Sequence, residues 1–137
     1  MLWDSSLNCG VEQVDNEHKE LFRIAGELSK VAKTEKSIEK SRMVLEFLGN
    51  YVVEHFAHEE ALMYSCNYPN TDEHEKLHKK FVQTFLDLKK KFNESGEPLS
   101  VSTQIHYATM SWLVNHIQII DMRFVKYYIE FQFKEGN

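Results

Sequence analysis

Apolar residues recur along this chain at three- and four-residue intervals, in four runs parted by short polar stretches. Leu21, Phe22, Ala25, Leu28 and Ala32 make the first run and predict an amphipathic helix over about 16–33, with Asp15 or Asn16 placed to cap it. Lys33-Thr34-Glu35-Lys36-Ser37 interrupts the pattern. Val44, Leu45, Leu48, Tyr51, Val52, Phe56, Leu62 and Met63 predict a second helix over 38–65, ended by Ser65-Cys66-Asn67-Tyr68-Pro69. Asn70 or Thr71 caps a third over 71–93, with Leu77, Phe81, Phe85, Leu88 and Phe92 as its stripe. Asp72 and Glu73 suit the positive end of its dipole. Asn93 to Pro98 is a turn. Ser100 then caps a fourth helix over 100–131, carrying Ile105, Ala108, Trp112, Leu113, Ile120 and Phe124. Beyond Asp121 the chain is aromatic (Tyr127, Tyr128, Phe131, Phe133), and the pattern allows it to extend the helix or to fold back. Residues 1–15 lack helical period and form an N-terminal loop segment. There is no strand-like alternation. The expected fold is all-α, an antiparallel up-down-up-down four-helix bundle, as one domain over residues 1–137.

Composition narrows the function. A net charge of −5 argues against a nucleic-acid partner, which needs a basic face. No window approaches the roughly 20 apolar residues of a membrane span, so membrane insertion is not expected. Met1-Leu2-Trp3-Asp4-Ser5 has no basic or apolar run of a secretory signal, and Cys9 and Cys66 then read as free thiols of a reducing compartment. The expected location is cytoplasmic.

The decisive feature is where polar residues fall. His18 lies three residues before Leu21, on the apolar stripe of the first helix. His55 follows Val52 by three, and Glu59 follows His55 by four. His74 and His78 precede Leu77 and Phe81 by three each. His116 lies midway between Trp112 and Ile120, and Asp121 sits on the flank of the same stripe. Each helix thus aims at least one ionisable group at the core. An unpartnered buried polar group costs roughly 2–7 kcal/mol, against a total stability of about 5–15 kcal/mol. Seven such groups require a compensating partner.

A metal supplies it. His55/Glu59 and His74/His78 are i, i+4 pairs, one turn apart on one helix face. His116/Asp121 is i, i+5, a rotation of about 140° on a regular helix, which suits an imidazole on one ion and a carboxylate reaching between two. Five imidazoles and two carboxylates exceed one ion. With both carboxylates and an oxygen atom bridging, three histidines complete six ligands on one ion, and two give five on the other. One position stays open. Nitrogen and oxygen donors without thiolate suit iron, manganese, zinc or copper.

At this point the chain resembles the hemerythrins, in particular single-domain bacterial ones. The resemblance rests on Gly10-Val11, Val14-Asp15-Asn16-Glu17-His18 and Leu21; on His55-Phe56-Ala57-His58-Glu59-Glu60 and Met63; on Tyr68-Pro69 and His74-Glu75-Lys76-Leu77-His78; and on Trp112-Leu113-Val114-Asn115-His116-Ile117 with Asp121. It implies a non-haem centre of two iron ions, with no haem. His74, His78 and His116 would hold the coordinatively full iron, His18 and His55 the open one, and Glu59 and Asp121 would bridge. It further implies reversible binding of dioxygen, binding of azide or similar small anions by the ferric form, and a pocket lined by Phe56, Trp112, Leu113 and Ile117. The expected role is oxygen storage, transport or supply to an oxygen-using enzyme. The alternatives are an oxygen or redox sensor, and a di-iron oxidase or peroxidase. An enzyme ranks lower because di-iron enzymes favour carboxylate-rich sites with paired E-x-x-H motifs.

Several polar residues are expected outside the ligand set. His58 completes an HxxH with His55 but points about 60° away from it, so it faces solvent or supports a ligand. His106 and Glu60 are expected at the surface, and Lys89-Lys90-Lys91 at a solvated helix end. Trp3 is expected to plug the core from the opening segment.

Overall fold

The computed structural model describes residues 3–30 and 35–135. Its main elements are α1 (Glu12–Lys30), α2 (Glu35–Ser65), α3 (Thr71–Glu94), α4 (Pro98–Asn115) and α5 (Met122–Glu135), with a single π turn over His116–Asp121 joining α4 to α5. α1 packs on α2 and α4, and α3 packs on the same two. The helices therefore close into a ring in chain order, the four-helix bundle expected. A buried cluster around Leu21, Leu48, Phe81 and Ile105 runs through it. A second, around Met63, Cys66, Phe124 and Val125, closes the end where α5 begins.

The segment after Asp121 extends the helix, and the π turn explains how. The Met122 amide donates to the Ile117 carbonyl five residues back. This wider turn brings Asp121 round to the face of His116, which a regular helix would not do.

α1 begins at Glu12, not 16. Asp15 caps from inside the helix: its carboxylate accepts from the Cys9 and Gly10 amides at 2.8 and 3.2 Å, holding the arm in a turn where Gly10 takes φ +103°. The expected helix end at 33, with Ala32, lies outside the described residues. α2 ends as expected. Asn67 adopts φ 54°, while the Tyr68 amide donates to the Met63 carbonyl and that of Asn67 to Tyr64, a Schellman closure. Asn70 stands at the N-cap of α3 without a side-chain capping bond. Thr71 Oγ1 donates to the Tyr68 carbonyl instead. α4 starts at Pro98 with Glu97 at its N-cap, because proline is preset for the first helical turn; Ser100 lies inside the helix. Trp3 packs edge-on to Phe22, centroids 5.3 Å apart, the plugging contact expected of it. Among the described residues no helix is long and apolar enough to cross a membrane.

Candidate metal centre

All seven side chains singled out from the sequence converge inside the bundle, each at most 5% exposed. His18 sits near the start of α1, His55 and Glu59 near the end of α2, and His74 and His78 in the first two turns of α3. His116 and Asp121 bound the π turn. Antiparallel packing brings these alternating ends to one level. The two carboxylates divide their oxygens. Glu59 Oε2 lies 3.1 and 3.0 Å from His18 Nε2 and His55 Nε2, while its Oε1 lies 3.4 and 3.2 Å from His74 Nε2 and His78 Nε2. Asp121 Oδ2 lies 3.1 Å from His18 Nε2, and its Oδ1 3.0 and 3.1 Å from His74 Nε2 and His116 Nε2. Taken together, the two carboxylates turn one oxygen each toward the pair His18 and His55 and the other toward the trio His74, His78 and His116.

The donor atoms are close but poorly satisfied. Glu59 Oε1 and both Asp121 oxygens are buried without a hydrogen bond, although imidazole nitrogens stand within ion-pair reach. His116 Nε2 faces His74 Nε2 at 3.1 Å and His78 Nε2 at 3.2 Å. The Nδ1 of His78 donates to Glu60 Oε2 at 2.9 Å, so its Nε2 points inward as a lone pair. Lone pairs converging at these spacings fit a metal: bonds of about 2.1 Å at right angles place neighbouring donors roughly 3.0 Å apart. Glu59, His74, His78, His116 and Asp121 form one potential ligand group and His18, His55 and Glu59 a second, their donor atoms within 4.8 Å of one another.

A second layer surrounds this set. Glu17 accepts from His55 Nδ1 at 2.8 Å with one oxygen and from His58 Nδ1 at 2.6 Å with the other. Phe56 lies flat on His78, centroids 3.8 Å apart, and Trp112 flat on His116 at 4.2 Å. Leu113 and Ile117 are fully packed, 2% and 0% exposed.

The family described as "Hemerythrin HHE cation binding domain" matches residues 9–128. The chain belongs to the hemerythrin family. It is 30% identical to a bacteriohemerythrin of Pseudomonas aeruginosa over 125 residues, covering 91% of this chain and 79% of that one. A myohemerythrin of Theromyzon tessulatum is 30% identical over 122 residues, 89% of this chain and 88% of the other. A solved structure titled "Crystal structure of hemerythrin:wild-type" superposes with a TM-score of 0.81 at 29% identity, covering 93% of this chain and 97% of that chain.

In this member of the family the electrostatics of the cluster call for positive charge. Burial opposes ionisation of Glu59 and Asp121, yet the surrounding imidazoles hold both below the usual carboxylate range. The carboxylates in turn draw protons to the histidines. Burial pulls His55 and His74 down, but Glu59, Asp121 and Glu17 outweigh it at His55, which rises to about 10, and Asp121 and Glu59 do so at His74, which rises to about 9. His18 is raised on the same balance, whereas burial wins at His116 and lowers it. A multivalent cation would satisfy the same two carboxylates without protonating any imidazole.

Two supporting residues escaped the sequence reading. Glu17 precedes His18 by one position but serves α2, 38 residues from His55 and 41 from His58, so no spacing along its own helix shows its role. Glu60, expected in solvent, is half-buried against His78. His58, expected to face solvent or to support a ligand, is partly exposed and donates to Glu17, which in turn accepts from His55. His106 corrects the surface expectation: it is 6% exposed, and its Nδ1 donates to the Ala25 carbonyl of α1 at 2.7 Å. Helix α4 turns that face toward α1.

Proposed function

We propose that this chain binds dioxygen reversibly at a pair of non-haem iron ions, as a store, transporter or supplier of oxygen. His74, His78 and His116 would hold one iron, His18 and His55 the other, and Glu59 and Asp121 both. The observation that carries this reading is the division of the carboxylate oxygens between a trio and a pair of imidazoles. A trio beside a pair, with shared bridges, leaves one ion short of a ligand. The bound irons would supply the electrons and the open position that dioxygen requires.

The chain's own residues do the remaining work. Glu17 and Glu60 accept from the outer ring nitrogens of His55 and His78, which fixes ring orientation and keeps each Nε2 directed inward. Phe56 and Trp112 clamp His78 and His116 by stacking. Leu113 and Ile117, with these two aromatic rings, form an apolar wall that limits the access of water and competing anions. An imidazole-rich set in so closed a core favours a carrier over an enzyme with an organic substrate. Free thiols at Cys9 and Cys66 accord with a reducing, cytoplasmic setting.

The test is an iron count with visible spectra through cycles of deoxygenation and exposure to air. Two irons per chain and a spectrum that returns on each cycle are expected. One metal per chain, two zincs without iron uptake, or a spectrum that air converts once and irreversibly would overturn the reading.

A further inference from the structure

A second chemically distinct cavity lies outside the metal centre, between α1, α4 and the N-terminal arm. It holds about 280 Å³, close to the lower end of small-molecule sites at about 300 Å³. Trp3 and Phe22 form an apolar floor, the indole edge-on to the phenyl. Lys19, Arg23 and Lys30 also line it, and no acidic residue does among the described residues. Lys19 Nζ stands over the Trp3 ring, 5.8 Å from its centroid. Lys30 stands 3.7 Å from Glu27, an exposed contact of a kind that is weak and readily exchanges partners, whereas Arg23 donates to both oxygens of Glu20, its Nη2 at 2.6 Å.

Two further features mark the cavity as a built site. His106 lines it while 6% exposed. Its Nδ1 proton is committed to the Ala25 carbonyl, which leaves Nε2 as the ring's remaining polar atom, a lone-pair acceptor in the neutral imidazole. The other feature is Gly26. It lines the cavity in the interior of α1, where glycine is the least favourable residue after proline. A Cβ placed there would meet nothing within 4 Å. The missing side chain is part of the space.

We propose that this cavity binds a small planar organic anion that also carries a hydroxyl or N–H donor. The ring would lie on Trp3 and Phe22, the anionic group among Lys19, Arg23 and Lys30, and the donor would reach His106 Nε2. The site is independent of the metal centre and of its function.

Calorimetric titration of the iron-loaded protein tests it, with 4-hydroxybenzoate as probe and benzoate and inorganic phosphate as controls. One equivalent of 4-hydroxybenzoate should bind. Benzoate, lacking the donor, should bind about fivefold more weakly, the worth of one hydrogen bond; phosphate, lacking the ring, should not compete. Gly26→Leu should fill the space and abolish binding. Lys30→Gln, at an exposed position without folding risk, should weaken it about two- to fivefold. The visible spectrum of the iron centre should not change. Absence of binding, a spectral change that places the probe at the iron, or full affinity in both Lys30→Gln and a folded Gly26→Leu would each overturn the assignment.

Discussion

Leu113, near the end of α4, and Ile117, in the π turn, stand about one turn apart on either side of His116, and neither has appreciable exposure. On the proposed reading, the wall of Leu113 and Ile117 would keep water and protons away from the irons held by the seven ligands, and would so favour release of oxygen unchanged over its loss in reduced form. Leu113→Ala opens space in that wall and should cost about 2–5 kcal/mol of stability. It should also speed decay of the oxygenated protein's visible absorption in air and hasten azide binding to the ferric form, with iron content unchanged. Equal decay in two fully loaded samples would remove Leu113 from the pocket. The carboxylates behind the ligands give a second test. Glu17→Ala frees His55 Nδ1 and should weaken iron retention against a chelator by about 10–100-fold, whereas Glu17→Gln, still able to accept that bond, should keep most of it. Similar loss in both variants would mean that charge, not ring orientation, is what Glu17 supplies. At this scale the seven inward residues were legible because burial of ionisable groups on an apolar stripe demands explanation. Glu17 and Glu60 were not, because each supports a histidine on another helix, and such a pairing leaves no periodic trace.

The helices themselves make opposite demands on two glycines. Gly26 in α1 borders empty space, whereas a Cβ on Gly49 in α2 would lie 2.9 Å from Cε1 of the buried Phe85 on α3. Both sit in helix interiors, where alanine is intrinsically better. Gly26→Ala should therefore raise stability by about 0.5–1 kcal/mol. Gly49→Ala should lower it by about 1–3 kcal/mol, because the ring or the helix must shift to accept the methyl group. Urea denaturation of both variants beside the parent checks the pair; equal signs would mean that α2 and α3 do not approach so closely. Periodicity placed the helices well but not their ends. α1 starts early because Asp15 reaches back to two amides of the arm, a cap that acts from within the helix. The His116–Asp121 spacing was a clue in plain view: two inward groups five residues apart do not fit a regular helix. The π turn is the local distortion that reconciles them, and six residues of wider turn carry no hydrophobic signature of their own.

Across the whole bundle, the same cluster should couple metal, protons and folding. Without iron, His55 and His74 titrate near 10 and 9 in the folded protein against an ordinary 6.5. Between these values the folded state binds more protons than the unfolded one, so the stability they contribute is complete below about pH 6.5 and is lost as pH rises toward 9–10. Glu59 and Asp121 are shifted the other way, from ordinary values of 4.5 and 3.8; their contribution is present above those values and is lost as pH falls below them. His18, also raised, acts with His55 and His74, while His116, lowered by burial, opposes them; with three raised histidines against one, the iron-free bundle should be most stable between about pH 4.5 and 6.5. Iron bound by these residues would reverse the slope on the upper side. Ligation requires neutral imidazoles, so protons compete with metal, and binding contributes more as pH rises. The gap in melting temperature between iron-loaded and chelator-stripped protein should widen steadily from about pH 6 to pH 9, with the stripped form falling while the loaded form holds or rises. Thermal melts of both forms at fixed ionic strength measure it. Parallel curves would mean that the buried histidines do not exchange protons for metal, and the cluster would lose its assignment as the seat of the irons.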